Sequence, residues 1–179
     1  LTTGTVTASI ATDSTVDSLK TLTGTNAYTI TIASGDATGS TAAELTAIDN
    51  ATTVAVDASA VTALSGSYSE IVALYGSSGV SGFGDESITI TGGNLSVTEA
   101  NVIDALTTGT VTASIVTTET VDSLTTLTGT NAYTIVISET SASASDLNTI
   151  NGLTTATVNL TNVTSVTFGA HSHLDTLMT

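Results

Sequence analysis

A chain of 179 residues is long enough to bury one core, and with 40% hydrophobic but only 3% aromatic residues that core must be built mainly from aliphatic side chains. The 16 acidic residues and the single basic residue, Lys20, give a net charge of −15, which excludes recognition of nucleic acid or of an anionic membrane through a basic surface. The absence of Cys excludes disulfide bonds, and no apolar run reaches the length of a membrane helix.

The first predicted elements belong to a long internal repeat. The segment 1–10 reads LTTGTVTASI and recurs unchanged at 106–115. The segment TVDSLKTLTGTNAYTI, which begins at Thr15, recurs from Thr120 with Thr125 in place of Lys20. Both matches have the same offset of 105 residues (106 − 1 and 120 − 15). The chain therefore consists of one long repeat, 1–105, followed by a partial second copy, 106–179.

Short helices are predicted at intervals along the chain, because pairs of apolar residues three positions apart recur in a polar context. The first members of successive pairs are 23 to 29 residues apart, and a unit of about 26 residues is typical of a solenoid coil. In chain order the pairs are Leu19/Leu22, Leu45/Ile48, Ile71/Leu74, Ala100/Ile103, Leu124/Leu127, Leu147/Ile150 and Leu174/Leu177.

Several of these helices are predicted to begin with a capping box, in which a Ser or Thr and an acid three residues later bond each other's backbone N–H. An acid in the first turn also interacts favourably with the helix dipole. The boxes are Thr41 to Glu44, Ser67 to Glu70 and Ser96 to Glu99, with Ser143 to Asp146 as a weaker version that has a shorter acid.

Strands are predicted between the helices, because apolar and polar residues alternate there with a period of two. Such strands have one apolar face and one Thr-rich polar face. A further irregular strand is expected within 163–168. The alternating apolar positions are Val6/Ala8/Ile10, Tyr28/Ile30/Ile32, Val54/Val56/Ala58, Ile88/Ile90 and Ala156/Val158/Leu160.

One strand and one short helix in each unit predict a repeat solenoid. We expect a parallel β-solenoid (a β/α solenoid) with about seven coils of about 26 residues, which forms one continuous segment over residues 1–179. Neither end of the sequence resembles the polar cap that a solenoid needs. The segment is therefore expected to be a fragment of a longer chain.

Few residues suggest a ligand site. Asp85 and Glu86 lie in a Gly-rich turn, 82–86, that faintly resembles the calcium repeat G-G-x-G-x-D. They are weak calcium candidates, because the spacing departs from that repeat and a calcium site needs six or more oxygen ligands. His171 and His173 are too few for a structural zinc site. No other cofactor is indicated.

Acids at the helix ends and Thr pairs on the strands each have a structural and a binding interpretation. Asp49, Asp104 and Asn151 follow the last apolar residue of their helices, where they are expected to cap turns by bonding the backbone. A ladder of ligands is the alternative. T-x-T pairs such as Thr5/Thr7 and Thr89/Thr91 suit soluble strands, but they also resemble the ice-binding faces of some β-solenoids.

Tyr28 and Tyr133 are equivalent residues of the two repeat copies. Both are expected to pack in the core with the hydroxyl group at a wet edge, and a carbohydrate platform is the alternative. The alternative function of the whole chain is therefore that of a binding module, for calcium, carbohydrate or ice, acting through the Thr-rich strand face.

The repeats resemble those of giant secreted cell-surface proteins of marine cyanobacteria and related bacteria. The resemblance is one of repeat style, and it assigns no residue roles. It implies an extracellular location at the cell surface and a structural duty as an adhesin, a surface layer or a motility coat. It rests on three phrases, TAAELTAIDNATTVAVDASAVTALSG, GVSGFGDESITITGG and LTTGTVTASI.

We therefore expect a structural segment of an extracellular filament, fibre, surface layer or giant adhesin. Its expected partners are copies of itself or further repeats of the same chain, together with surface polysaccharide or divalent cations. An enzyme is not expected, because the sequence has no Cys nucleophile, no Gly-rich phosphate loop and no Ser-His-Asp grouping. In addition, its acids recur with the repeat, whereas catalysis needs a unique constellation.

Overall fold

The computed structural model describes residues 4–33 and 38–169, apart from the side chain of Thr38. Strands and helices alternate along these ranges. The residues group into two compact units, Leu1–Gly92 with Leu106–Gly109 and Gly93–Ala105 with Thr110–Thr179. The predicted helix at Leu174/Leu177 and the pair His171/His173 lie outside the described residues.

The helices of the described ranges begin at or near the predicted positions. Four have eight or nine residues, and two have only four. The longer helices bury their predicted apolar pairs. The helices are α1 (Val16–Leu19), α2 (Ala42–Asn50), α3 (Tyr68–Gly76), α4 (Val97–Asp104), α5 (Val121–Leu124) and α6 (Ala144–Gly152).

The two four-residue helices, α1 and α5, end earlier than the apolar pattern predicts. The Thr residues that follow them explain this difference, because their hydroxyl groups bond carbonyls that a longer helix would use. Thr21 Oγ1 donates to the Ser18 carbonyl at 2.6 Å, and Thr126 Oγ1 donates to the Ser123 carbonyl at 2.7 Å. Leu22 and Leu127, the second members of their pairs, therefore lie beyond the helix ends.

The predicted capping boxes are confirmed at the start of α2, α3 and α4. In each box the acid accepts the N–H of the capping residue, at 3.1 Å for Thr41, 2.8 Å for Ser67 and 2.9 Å for Ser96. At the start of α6, Asp146 N–H donates to Ser143 Oγ at 3.0 Å, which is one of the two hydrogen bonds of a capping box. Local side-chain chemistry thus sets where these helices begin.

Replacement of Ser143 by Ala is expected to lower the free energy of unfolding by about 1 kcal/mol, because Asp146 N–H loses its acceptor. Ser145→Ala, two residues further along the same helix, is the matched control, since Ser145 is exposed and lies inside the helix. Urea unfolding followed by circular dichroism measures both variants. Equal midpoints for the two variants would contradict the capping role.

The strands are short, with two to four residues each. Some repeat units contain two strands where one was predicted, as between α2 and α3. The division arises because Asp57 accepts the N–H of Ser59 at 3.0 Å and turns the chain. The strands are β1 (Thr7–Ser9), β2 (Ala27–Thr29), β3 (Thr38–Thr41), β4 (Val56–Asp57), β5 (Ala63–Gly66), β6 (Val80–Ser81), β7 (Ser87–Ile90), β8 (Val111–Ser114), β9 (Ala132–Thr134), β10 (Ser141–Ser143) and β11 (Ser165–Thr167). The last of these confirms the irregular strand expected within 163–168.

Strand pairing is parallel, as predicted. In the first unit β1 pairs with β2, β4 pairs with β6, and β5 lies between β3 and β7. In the second unit β8 pairs with β9, and β10 pairs with β11. Paired residues are one repeat unit apart in sequence, from 20 positions for Thr7 and Ala27 to 26 for the bridge between Thr31 and Asp57.

The core contains the aliphatic faces of most strands and helices, but β1 is an exception, and the predicted apolar positions Val54 and Leu160 are also exposed. Ile30 and Ile88 are buried as the alternation predicts. Val6, however, is 37% exposed and Ala8 is also exposed, so the prediction of a buried face is wrong for this strand. In the second copy the equivalent Val111 has no exposed surface. The difference cannot come from the sequence of the strand, which is identical in the two copies.

Candidate functional site

Polar side chains between successive segments form the most regular arrangement in the described residues. The first members of three Thr-Thr pairs, which we call the threonine pairs, are only 6 to 9% exposed. Their hydroxyl groups donate to backbone carbonyls 21 to 24 positions earlier, at Tyr28 (2.7 Å), Glu86 (2.6 Å) and Tyr133 (2.7 Å). The threonine pairs are Thr52/Thr53, Thr107/Thr108 and Thr154/Thr155.

Each of these buried hydroxyl groups also accepts a hydrogen bond, from the N–H two residues further on. The distances are 3.1 Å from Val54, 2.9 Å from Gly109 and 3.1 Å from Ala156. The second Thr of each pair donates its backbone N–H to the preceding segment at 2.7 to 2.8 Å. A threonine pair therefore fixes a turn and joins two segments, with its buried hydroxyl satisfied as donor and acceptor.

Asp104 connects the end of α4 to the next segment of the second unit. Its carboxylate accepts from Thr128 Oγ1 and from Asn131 Nδ2, both at 2.7 Å. Gly129, between them, has a φ of +69°, and a Cβ there would overlap the carboxylate. Asp104 was predicted to cap a turn through the backbone, but it bonds side chains of the following segment instead.

Asp49 occupies the same position at the end of α2 and makes a smaller version of this contact. Ser77 Oγ donates to Asp49 Oδ2 at 3.1 Å, and Gly79 N–H donates to Ser77 Oγ at 3.0 Å. A Cβ on Gly79 would overlap the Asp49 carboxylate, so the close approach requires glycine. Asn151, the third predicted member, is exposed.

Tyr133 lies at the centre of the contacts around Asp104. It has no exposed surface, so the predicted wet edge for its hydroxyl group is wrong. The hydroxyl donates to the Ala100 carbonyl at 3.4 Å and accepts from Asn131 Nδ2 at 3.3 Å. Asn131 in turn accepts Val111 N–H at 2.8 Å. One buried network thus joins α4 to the strands β8 and β9.

Burial, reinforced by the negative charge of Asp104, raises the pKa of Tyr133 from 10.0 to about 12. Because the pKa is raised in the folded state, this phenol contributes its full stabilisation below pH 10 and loses it as the pH rises towards 12. Titration of tyrosinate absorbance is expected to show a step near pH 12 that disappears in Tyr133→Phe. A step that persists in the variant would assign it to another tyrosine.

Two glutamates satisfy N–H groups at helix starts in the preceding segment. Val97 N–H, in the first turn of α4, donates to Glu119 Oε1 at 2.9 Å. Val121 N–H, in the first turn of α5, donates to Glu139 Oε1 at 2.9 Å. Helix starts have unpaired donors and a positive dipole end, so acids are favourable there. This use accounts for part of the strongly acidic composition.

Lys20 connects α1 to α2 in the first unit. Its ammonium group lies 2.5 Å from Asp17 Oδ1 and 2.9 Å from Glu44 Oε1. The bond from Lys20 and the N–H of Thr41 hold the pKa of Glu44 below its usual value. Thr125 occupies the position equivalent to Lys20 in the second copy, so this ion pair is not a feature of both copies.

The weak calcium candidates differ from each other in exposure. Asp85 is exposed, whereas Glu86 is completely buried. Glu86 Oε2 accepts the N–H groups of Gly84 at 2.9 Å and of Asp85 at 3.2 Å, and Oε1 has no hydrogen-bond partner among the described residues. Within those residues no three His, Cys, Asp or Glu side chains come together as a metal site would require.

On the Thr-rich strand face, the threonines of these paired strands do not lie opposite one another. Thr7 lies opposite Ala27 and Thr29 lies opposite Ser9, and the second copy repeats this pairing. In the first unit Thr89 lies opposite Ser65. Across these strand pairs a threonine therefore meets Ala or Ser, and the T-x-T pairs of neighbouring strands do not form a continuous array.

Over the ranges that the structure describes, no helix combines the length and the apolar character needed to span a membrane. The most regular polar feature of the described residues is therefore the set of bonds between successive segments. The threonine pairs, the acids at the helix ends and the parallel strands form these bonds. Searches of protein-family models, curated proteins and solved structures find no match to this chain.

Proposed function

We propose that the chain is a structural segment of an extracellular filament, fibre, surface layer or giant adhesin, built as a parallel β-solenoid. The observation that supports this proposal most directly is the constant offset of the contacts. Parallel strands, bridges and threonine pairs all join residues 20 to 27 positions apart. Contacts confined to neighbouring repeats are typical of solenoids, in which each unit stabilises only the next.

The proposed mechanism is mechanical. Load along the stack is shared by main-chain hydrogen bonds between successive segments, by the buried threonine pairs and by the apolar faces of the helices. Each segment is stabilised by the same kinds of contact, so copies of this chain or further repeats of a longer one extend the material without a new interface. No reactive group is needed for this duty.

The exterior that we propose is acidic and hydroxyl-rich. A net charge of −15 with a single basic residue keeps stacks apart and soluble, and salt water screens the repulsion beyond about 10 Å. The proposed partners are therefore other repeats along the axis, with divalent cations and surface polysaccharide at the sides. The resemblance of the repeats to those of secreted surface proteins supports the extracellular location.

The test is an antibody raised against this chain and applied to intact cells of the source organism. We expect labelling of intact cells, and a labelled band whose denatured mass far exceeds 17.7 kDa. Labelling that requires lysis would contradict the extracellular role. A surface-labelled band at 17.7 kDa would contradict the longer chain and assign the stack to docked subunits.

A further inference from the structure

The paired strands and the turn before the second strand are the same in sequence and pairing in the two copies of the repeat but differ in what covers them. Strand β1 pairs with β2 and β8 pairs with β9 in the same register, with every residue shifted by 105 positions. Tyr133 and Asn131 are buried in the second copy, while their equivalents Tyr28 and Asn26 are half-exposed in the first. The structure thus contains one covered and one uncovered version of a single surface.

The cover of the second copy within its own unit is the segment 93–105. Leu95 forms a parallel bridge, donating its N–H to the Ser114 carbonyl and accepting Val116 N–H, both at 2.8 Å. Further along, Asn101 Nδ2 donates to the Thr126 carbonyl and Asn101 Oδ1 accepts Thr128 N–H, both at 2.9 Å. The main-chain hydrogen bonds of Leu95 and the two side-chain amide bonds of Asn101 together fix the register of this segment.

The last contacts of the cover come from the end of α4. Asp104 accepts from Thr128 and Asn131, and the Ala100 carbonyl accepts from the Tyr133 hydroxyl group. An Asn and an Asp three positions apart on one helix therefore recognise a turn that reads Thr-Gly-Thr-Asn-Ala-Tyr in the sequence. This turn is 128–133 in the second copy and 23–28 in the first.

At equivalent positions, the first copy has the same groups that bond the segment 93–105 in the second copy. Ser9 and Ala11 correspond to the two residues that pair with Leu95, and both are exposed. Thr23 is exposed as well, and Asn26 accepts Val6 N–H at 3.0 Å just as Asn131 accepts Val111 N–H. The first copy therefore presents at its surface the groups that bond the segment 93–105 in the second copy.

We infer that the surface formed by Val6, Ala8, Ser9 and the turn 23–28, here called the first-copy face, is a docking site for a repeat segment of the 93–105 type. The recognising chemistry is an apolar residue in an extended stretch, followed by a helix that carries Asn and Asp three positions apart. This inference rests on the proposed structural role and names the partner at one face of the stack. The segment 93–105 of a second intact copy is not the occupant, because it is already bonded to the second repeat of its own chain.

One contact of the covered copy is missing from the first-copy face. Glu119, which accepts Val97 N–H from the cover, corresponds to Ser14 in the first copy. A docked segment would therefore keep its strand bonds and its Asn and Asp bonds but lose the acid at its helix start. Docking at the first-copy face is accordingly weaker than the contact seen in the second copy.

The test extends the full chain at its N-terminus with a copy of its own residues 77–105, so that the extension precedes Leu1 as the original precedes Leu106. Amide hydrogen exchange is then followed at Ala11 and Thr23, with Val116 and Thr128 of the same molecule as internal references. We expect exchange at Ala11 and Thr23 to slow by about tenfold or more, towards the rates of the references.

The matched control is the same extension with Ala at its two positions copied from Asn101 and Asp104, which should leave Thr23 unprotected. Unchanged exchange at Ala11 and Thr23 beside protected references would overturn the docking site. Concentration-dependent protection in the unextended chain would also overturn it, because the occupant would then be a second copy. These readouts are independent of surface labelling and denatured mass, so docking and the structural role fail separately.

Discussion

Replacement of Tyr133 by Ala is expected to lower the free energy of unfolding by about 3–5 kcal/mol, the range for a large side chain lost from a packed core. The side chain has no exposed surface, and its hydroxyl group bonds Asn131 and the Ala100 carbonyl. The variant leaves a cavity and removes part of a buried network. Urea unfolding, with the midpoint and the slope both recorded, measures the loss.

Tyr28→Ala is the matched control, because Tyr28 is the equivalent residue in the other copy of the repeat and is half-exposed. Tyr28→Ala should lower the free energy of unfolding clearly less than Tyr133→Ala does, because the side chain of Tyr28 buries less apolar surface. Equal losses for the two variants would mean that Tyr28 is covered in solution as fully as Tyr133. That result would contradict the description of β1 and β2 as an uncovered face.

Replacement of Asp104 by Ala is expected to lower the free energy of unfolding by about 1.5–3 kcal/mol, the range for hydrogen bonds to a charged group. The variant loses the bonds from Thr128 and Asn131, and it leaves one N–H of the buried Asn131 amide without an acceptor, while the other still donates to the Tyr133 hydroxyl group. Asp49→Ala should lower the free energy of unfolding less, because among the described residues Ser77 is the one donor to that carboxylate. Thermal and urea unfolding of the two variants provide the comparison.

Asp13→Ala controls for the general effect of removing one negative charge from an acidic chain. Asp13 is exposed, so its replacement should change the stability by no more than about 0.5 kcal/mol. If Asp104→Ala were no more destabilising than Asp13→Ala, the contacts at Asp104 would be present without contributing to stability. The recognition of the turn 128–133 by Asp104 would then lose its energetic basis.

Local features of the fold were predictable from the sequence because they depend on residues three or four positions apart. The capping boxes at Thr41, Ser67 and Ser96 require only a hydroxyl, an acid and the right spacing, and all three are present. The apolar pairs located the long helices for the same reason. The parallel pairing followed from a strand and a helix in each unit.

Burial of individual residues was less predictable, because it depends on what lies on top of them. Val6 and Val111 occur in identical sequences, yet only Val111 is buried. No property of the strand itself distinguishes them. The same limit applies to Tyr28 and Tyr133. The sequence predicts one environment for both, but Tyr133 is buried and Tyr28 is half-exposed.

The threonine pairs were missed because Thr was interpreted as the residue of the wet strand face. Thr52 and Thr154 are instead buried, directly beyond the ends of α2 and α6. A signal was present in the sequence: two adjacent Thr recur shortly after helix ends, at 52–53, 107–108 and 154–155. A Thr hydroxyl can donate and accept at once, which makes it suitable for a buried turn.

The constant offset of the contacts has a consequence for how the chain acquires its structure. Most of the bonds between segments join residues 20 to 27 positions apart in a chain of 179, or about 0.11 to 0.15 of its length, and such local topologies close small loops and fold comparatively fast. Each segment can therefore pair with its neighbour as soon as both have been synthesised. Because folding can nucleate at any pair of neighbouring segments and propagate from there, additional repeats should not slow the first nucleation step.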